Sequence, residues 1–485
     1  MSRLLPIFHV LGVILVMFGL CMLLPVATAH ALNDTAVEAY DTAVIATFFA
    51  GGVLWALGRG RAGELTPWSG FLLVALVWVT LSGFASLPLY IHLPGVSVTD
   101  AYFEAVSGLT ATGATVLTGL DHLPPSINLW RAELQWLGGM GVIVLAVAVL
   151  PLLGVGGRQI YRAETPGPMK ESHLTPRIAE TAKGLWLIYA ALTGACVLAY
   201  HLGGMEWIDA VVHAFTTVSL GGFSSHDASF GYFNSPLLEA IAIGFMLLAG
   251  INFATHFLAW QRRSPLAYWR DVEGLTFIGV MVGSVTALSA YLFFMGVYAD
   301  FWDALRFAAF NTVSVGTTTG YATADYYLWP VFAPLWVLFL GTFASCSGST
   351  GGGIKMVRAM LLYRQVHREF VKLLHPGVVR PVKLGTKPVP DGIIFAVLAF
   401  FFIWIATMVT ITLVLTASGL DAITAFSAAV ASLNNIGPGL HQVGPSTNFQ
   451  VLSDFQTWVC AFAMLLGRLE LFSLYLLFTP VFWRR

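Results

Sequence analysis

The chain has 485 residues, of which 57% are hydrophobic and only 10% are charged, with a net charge of −1. A soluble domain carries about 25% charged residues, so this composition excludes a soluble enzyme, a disordered tail and a nucleic-acid binder. It leaves a polytopic membrane protein whose apolar surface faces lipid. Glycine is abundant, at 48 residues, which points to irregular backbone or close helix contacts.

A spanning helix needs about 20 mostly apolar residues. Such stretches run over 4–27, 41–58, 67–91, 127–154, 180–202, 235–260, 272–298, 329–365, 390–417 and 453–481. The predicted fold is therefore all-α and polytopic, with ten transmembrane helices and both termini on one side. The first stretch shares features with a signal peptide, with Arg3 before it and Ala29-His30-Ala31 after it. Its apolar run, Leu4 to Ala27, is longer than an ordinary signal core and reads as a span.

Charge placement orients the chain. Twenty of the 24 basic residues fall at the termini or in alternate loops, in the groups Arg59 and Arg61, Arg158 to Lys183, Arg262 to Arg270 and Arg358 to Lys387. The intervening loops hold only Arg306. The positive-inside rule puts both termini in the cytoplasm. Acids gather on the opposite side, among them Asp100, Glu104, Asp121, Asp209, Asp227, Asp303 and Asp421. An acidic outer face attracts cations, although exclusion of Lys and Arg from translocated loops produces the same asymmetry.

Four outer loops carry related segments. Each starts Asp-Ala, at Asp100, Asp209, Asp303 and Asp421, and reaches a polar stretch with a glycine, at Gly113, Gly221, Gly316 and Gly437. Each segment is too short to cross a bilayer and lies between two spans. It suits a half-helix that dips inward and returns as extended backbone. The acid complements the positive helix N-terminus. Irregular backbone at that depth must be buried in protein or line a water-filled cavity. Four such segments around one axis form a ring of carbonyls that replaces the hydration shell of a cation. Ordinary extracellular loops with turn glycines would explain one segment, but not four in register.

These segments, TATGA, TVSLGGFS, NTVSVGTTTGY and NNIGPG, together with GGRQIYRAETPGP (156–168) and SCSGSTGGGIK (345–355), resemble the membrane subunits of bacterial Trk potassium-uptake systems, in the Trk/Ktr/HKT superfamily. The resemblance spans essentially the whole chain. It implies four helix–pore loop–helix repeats in pseudo-fourfold arrangement around a central ion pore, plus two extra N-terminal helices. The corresponding regions are 1–65 (the N-terminal pair), 66–155, 156–262, 263–366 and 367–485. Carried over by motif, the potassium-binding filter residues are Ala111, Thr112 and Gly113; Ser219, Leu220 and Gly221; Ser314, Val315 and Gly316; and Asn435, Ile436 and Gly437. In that superfamily a glycine in the first filter accompanies potassium preference and a serine accompanies sodium, so Gly113 favours potassium. Each filter aligns around a single glycine, so discrimination against Rb⁺ and Na⁺ is expected to be looser than in a tetrameric potassium channel.

The eighth span contains Ala344 to Gly353, ten small residues with four glycines. Each glycine costs roughly 1 kcal/mol of helix stability against alanine, so the span breaks in mid-membrane. Close helix packing by small residues is the simpler reading. The resemblance implies a gate, with Ser345, Gly348, Gly351, Gly352, Gly353 and Lys355 in the loop. Arg468 sits near the centre of the last span, where an arginine is costly and faces a cavity or a partner. It is expected to line the pore beside this loop, with pairing to an internal acid as the alternative. Arg131 and Arg306 lie near the outer ends of their segments and are expected to snorkel.

The four cysteines, Cys21, Cys196, Cys346 and Cys460, lie in apolar segments without CxxC spacing, and no HxxxH or HExxH pair occurs. No catalytic set, organic cofactor site or dinucleotide fingerprint is present in the sequence. The expected function is potassium uptake across the bacterial cytoplasmic membrane, with Rb⁺ as a second permeant ion. The resemblance adds a homodimer and a cytosolic nucleotide-binding regulatory subunit. A proton- or sodium-coupled cation symporter is the alternative.

Overall fold

A computed structural model of the protein describes residues 4–59, 66–141 and 178–484. The stretch GGRQIYRAETPGP and the inner part of the predicted span 127–154 lie outside the described residues.

Among the described residues the architecture is helical, apart from a two-stranded antiparallel ribbon pairing Lys383 with Pro388. The N-terminal pair is α1 (Leu5–Cys21), continued by α2 (Leu23–Leu32), and α3 (Val37–Gly58). Glycines let α1 and α3 approach closely. A Cβ on Gly12 would overlap the backbone at Trp55, and one on Gly58 would overlap His9. The next span is α4 (Pro67–Ala85), continued by α5 (Leu87–His92). Then comes a recurring unit: a span, a short helix of 12 to 16 residues, a return strand and a second apolar helix. The short helices are α6 (Val98–Leu109), α9 (Trp207–Val218), α13 (Phe301–Gly316) and α17 (Ala422–Leu433). The spans before the last three are α8 (Ile178–Leu202), α12 (Val272–Phe294) and α16 (Asp391–Ala417).

The acids predicted at the helix starts are there. Asp100 forms a capping box with Ser97, Asp209 and Asp303 lie in first turns, and Asp421 accepts the amides of Ile423 and Thr424. Each satisfies or complements amides that a helix start leaves unpaired.

Among the described residues, none of the second helices runs on unbroken. The first, α7 (Pro125–Gly139), ends at Met140. The next is bent by 92° between α10 (Pro236–Gly250) and α11 (Phe253–Arg262). The third splits into α14 (Phe332–Phe343) and α15 (Met356–Leu374) across the glycine-rich tract. The last is bent by 108° after α18 (Asp454–Arg468). Among the described residues six helices are therefore long and apolar enough to cross a membrane, or eight if each bent pair counts as one span. Glycine and polar residues break second helices, as expected for the eighth of the ten predicted spans and also in the sixth and the tenth.

Large apolar side chains such as Phe49, Phe294 and Phe402 stand exposed on the outer surface, as a lipid-facing surface requires. Polar side chains concentrate inside: Thr110, Thr112, Thr216, Thr217, Asn311, Thr317 to Thr319, Asn434 and Asn435 are all buried.

Candidate ion pathway

Each short helix ends in the same way. After the last helical residue but one position, a residue adopts the left-handed conformation: Ala111, Leu220, Thr318 and Asn435, with φ of 51°, 55°, 64° and 54°. Its amide reaches back three residues and the next amide reaches back five, as in Thr112 to Ser107 at 2.9 Å and Thr319 to Ser314 at 2.7 Å. This is a Schellman closure. Two residues beyond the left-handed position comes a glycine with positive φ: Gly113 at 85°, Gly222 at 74°, Gly320 at 90° and Gly437 at 100°.

These four glycines form a circuit. A Cβ on Gly113 would overlap the carbonyl oxygen of Gly221. One on Gly222 would overlap that of Thr319, one on Gly320 that of Ile436, and one on Gly437 would lie 2.8 Å from that of Thr112. Each glycine thus meets the carbonyl preceding the next one, and the fourth returns to the first. No side chain fits between the strands.

Of the four glycines named from the sequence, Gly113 and Gly437 belong to this circuit, whereas Gly221 and Gly316 do not hold the equivalent position. Gly221 precedes the matching glycine, Gly222, by one residue. Gly316 is the last residue of α13, and the matching glycine is Gly320. Ser314 and Val315 are also helical, and Ser219 caps α9. In the third segment the cause is helix length. α13 has 16 residues where α6, α9 and α17 have 12, so the segment gains about one turn. Measured from the helix end, all four glycines are equivalent.

The strands leaving the glycines are braced by buried polar side chains. Glu104 accepts from Thr115 at 2.9 Å and from the Val116 amide at 3.1 Å. His213 bonds Ser224 at 3.0 Å. Asn311 accepts the Thr323 amide at 3.2 Å, and Ser427 accepts that of Leu440 at 2.9 Å. Arg131 does not snorkel. It is 1% exposed and pairs with Glu104 at 2.8 Å. Arg306 likewise pairs with Glu239, at 2.6 Å.

On the side away from the helix ends, residues that follow all four short helices line one cavity, among them Gly113, Gly222, Gly320 and Pro438. His226 stands at its rim between Asp121, at 2.6 Å, and Asp209, at 3.4 Å, and stacks on Tyr232 at 3.5 Å. Burial alone would lower the His226 pKa. Its hydrogen bonds to the two aspartates and their charges outweigh that, and the net shift is upward from 6.5.

Segment 344–355 lies under the helix ends. Thr350 donates to the Val218 carbonyl at 3.0 Å, and the Gly352 amide donates to Thr318 at 2.8 Å. Gly351 and Gly352 press on the carbonyls of Thr317 and Asn434, and a Cβ on either would clash. Gly353 meets the carbonyl of Thr342, and Gly348 meets Asn252. Ser345 donates to the Gly352 carbonyl at 2.7 Å, and the buried Lys355 donates to that of Gly351. The Glu273 carboxylate accepts the amides of Ser347 at 2.6 Å and Val357 at 3.0 Å. Arg468 donates to the Thr350 carbonyl at 3.2 Å, to Gly139 at 2.8 Å and to Gly138. Glu470, close in sequence, pairs instead with Arg358 at 2.5 Å. Six of the seven residues named for the gate thus meet beneath the helix ends, whereas Gly348 packs on Asn252 at the bend between α10 and α11. Glu104, Arg131, Gln135 and Glu273 escape a reading by sequence, because their partners are distant in the chain. Gly222 did carry a signal: its spacing from Asp209 equals that of Gly113 from Asp100.

A family model described as TrkH, cation transport protein, matches residues 38–484. The Trk system potassium uptake protein TrkH of Salmonella typhimurium is 44% identical over 479 residues, covering 99% of each chain. TrkH of Halomonas elongata is 45% identical over 481 residues, again covering 99% of each. The crystal structure of the potassium transporter TrkH from Vibrio parahaemolyticus superposes with a TM-score of 0.89 at 42% identity, covering 99% of each chain.

Proposed function

The chain belongs to the TrkH family of cation transport proteins, and from that footing we propose that it is the ion-conducting subunit of a bacterial potassium-uptake system. The observation that carries this reading is the closed circuit of four glycines and four carbonyls. In this reading the four repeats surround one pore in pseudo-fourfold fashion, with ten membrane crossings and both termini cytoplasmic. The carbonyls of Thr112, Gly221, Thr319 and Ile436, with those of Ala111, Leu220, Thr318 and Asn435 beneath them, replace water around K⁺. The pore-directed helix ends add negative potential below.

Uptake needs no coupled ion at modest gradients. A negative interior supplies roughly 2.3 kcal/mol per charge per 100 mV, which is about 40-fold accumulation. Segment 344–355 acts as the gate. Arg468 and Lys355 hold its carbonyls and place positive charge on the cation path. A homodimer and a cytosolic nucleotide-binding subunit complete the assembly in this reading.

The test is ⁸⁶Rb⁺ uptake into vesicles holding the purified protein, with competing K⁺ and Na⁺, for the unaltered chain and for Gly113→Ser. Uptake suppressed by K⁺ far more than by Na⁺, with the preference reduced in the variant, is expected. Uptake driven only by a pH gradient would overturn the channel-like mechanism.

A further inference from the structure

Gln135 and Arg131 lie one turn apart on α7 and so share a face. That face holds the strand of the neighbouring repeat. The fully buried Gln135 donates from Nε2 to the Gly221 carbonyl at 2.7 Å, and its Oε1 accepts the Phe223 amide at 3.0 Å. Arg131 donates to the Ser224 carbonyl at 3.0 Å and covers the Phe223 ring at 4.3 Å, while Glu104 fixes its other side. Three positions of the second strand are therefore held from one helix. Among the described residues, Gly221 alone of the four circuit carbonyls receives a side-chain donor; those of Thr112, Thr319 and Ile436 receive none.

We propose that Gln135 is a specificity-determining residue of the ion pathway, acting through the Gly221 carbonyl that its amide holds. This rests on the filter reading above. The donated hydrogen fixes where the Gly221 oxygen points. It also lowers the negative potential that this oxygen offers a cation. Discrimination among alkali cations depends on the number and field strength of the carbonyls that replace water. A weaker, fixed oxygen favours K⁺, which gives up water readily. A stronger, freer one compensates Na⁺ better. Gln135 is a positioning residue, because it acts through the backbone and does not itself meet the ion.

The test measures K⁺ over Na⁺ permeability in vesicles, together with total flux, for Gln135→Met and Gln135→Glu. Methionine keeps the volume and removes both hydrogen bonds. Glutamate keeps the acceptor for Phe223 and, when ionised, removes the donor. Both are expected to lower the K⁺/Na⁺ ratio by about fivefold, the size of one lost hydrogen bond. Reduced flux at an unchanged ratio would mean a purely structural brace and would overturn the proposal. If Gln135→Met does not yield monodisperse protein, Gln135→Leu, which also removes both hydrogen bonds, decides in its place. Gly222→Ala runs alongside. If it alters the ratio and the Gln135 variants do not, the filter reading stands and this proposal falls. If none alters it, both fall.

Discussion

At the scale of single residues, several interior charges are committed to named partners. Glu104 and Arg131 are both about 1% exposed and satisfied by several hydrogen bonds. Such a pair contributes little net stability, but breaking it leaves an uncompensated buried charge. Arg131→Met is expected to cost about 3–5 kcal/mol, read as the thermal unfolding midpoint in detergent. Adding Glu104→Gln should restore part of that loss. His226 behaves differently, because it joins the outer loops of two repeats. Its folded-state pKa is raised and that of Asp121 is lowered. The imidazole's contribution is therefore complete below its ordinary value and is lost as pH rises through the raised value. The Asp121 contribution is lost as pH falls through its lowered value. The loop contact is strongest between those limits. Stability should decline from mildly acidic to alkaline pH, and His226→Ala should flatten that slope.

At the scale of elements, the Asp-Ala helix starts were legible in the sequence because a cap is a local device, read from a few adjacent residues. The broken eighth span was legible because four glycines fall within ten small residues. The filter register was not fully legible. Spacing from the first acid assumes equal helices, whereas α13 is a turn longer. Bends such as that at Ile251 and Asn252 were also hidden, because the apolar run continues across them. The inner segment 344–355 is held by residues of two other repeats, among them Val218, Asn252, Asn434 and Arg468, and by Thr318 and Glu273 of its own, all distant from it in the chain. Arg468→Ala removes its contact with Thr350 and those with α7. Charge-assisted hydrogen bonds contribute about 1.5–3 kcal/mol, so basal ⁸⁶Rb⁺ flux should rise roughly tenfold or more. Unchanged flux would exclude Arg468 from the gate.

At the scale of the whole molecule, a pathway emerges from a chain with few charges. In the proposed reading those charges set its orientation by the positive-inside rule, with acids around the outer mouth and Arg468 and Lys355 at the inner barrier. Selectivity in this account belongs to the circuit that four strands close together, and no single repeat carries it. The most direct measurement compares Gly320→Ala with Gly316→Ala in the vesicle flux assay. A Cβ on Gly320 meets the Ile436 carbonyl at a backbone angle that alanine strongly disfavours, whereas one on Gly316 meets only the flexible end of Met281. The account predicts that Gly320→Ala lowers K⁺-selective uptake by more than about tenfold and that Gly316→Ala retains it. The opposite order would contradict the circuit as the selectivity filter.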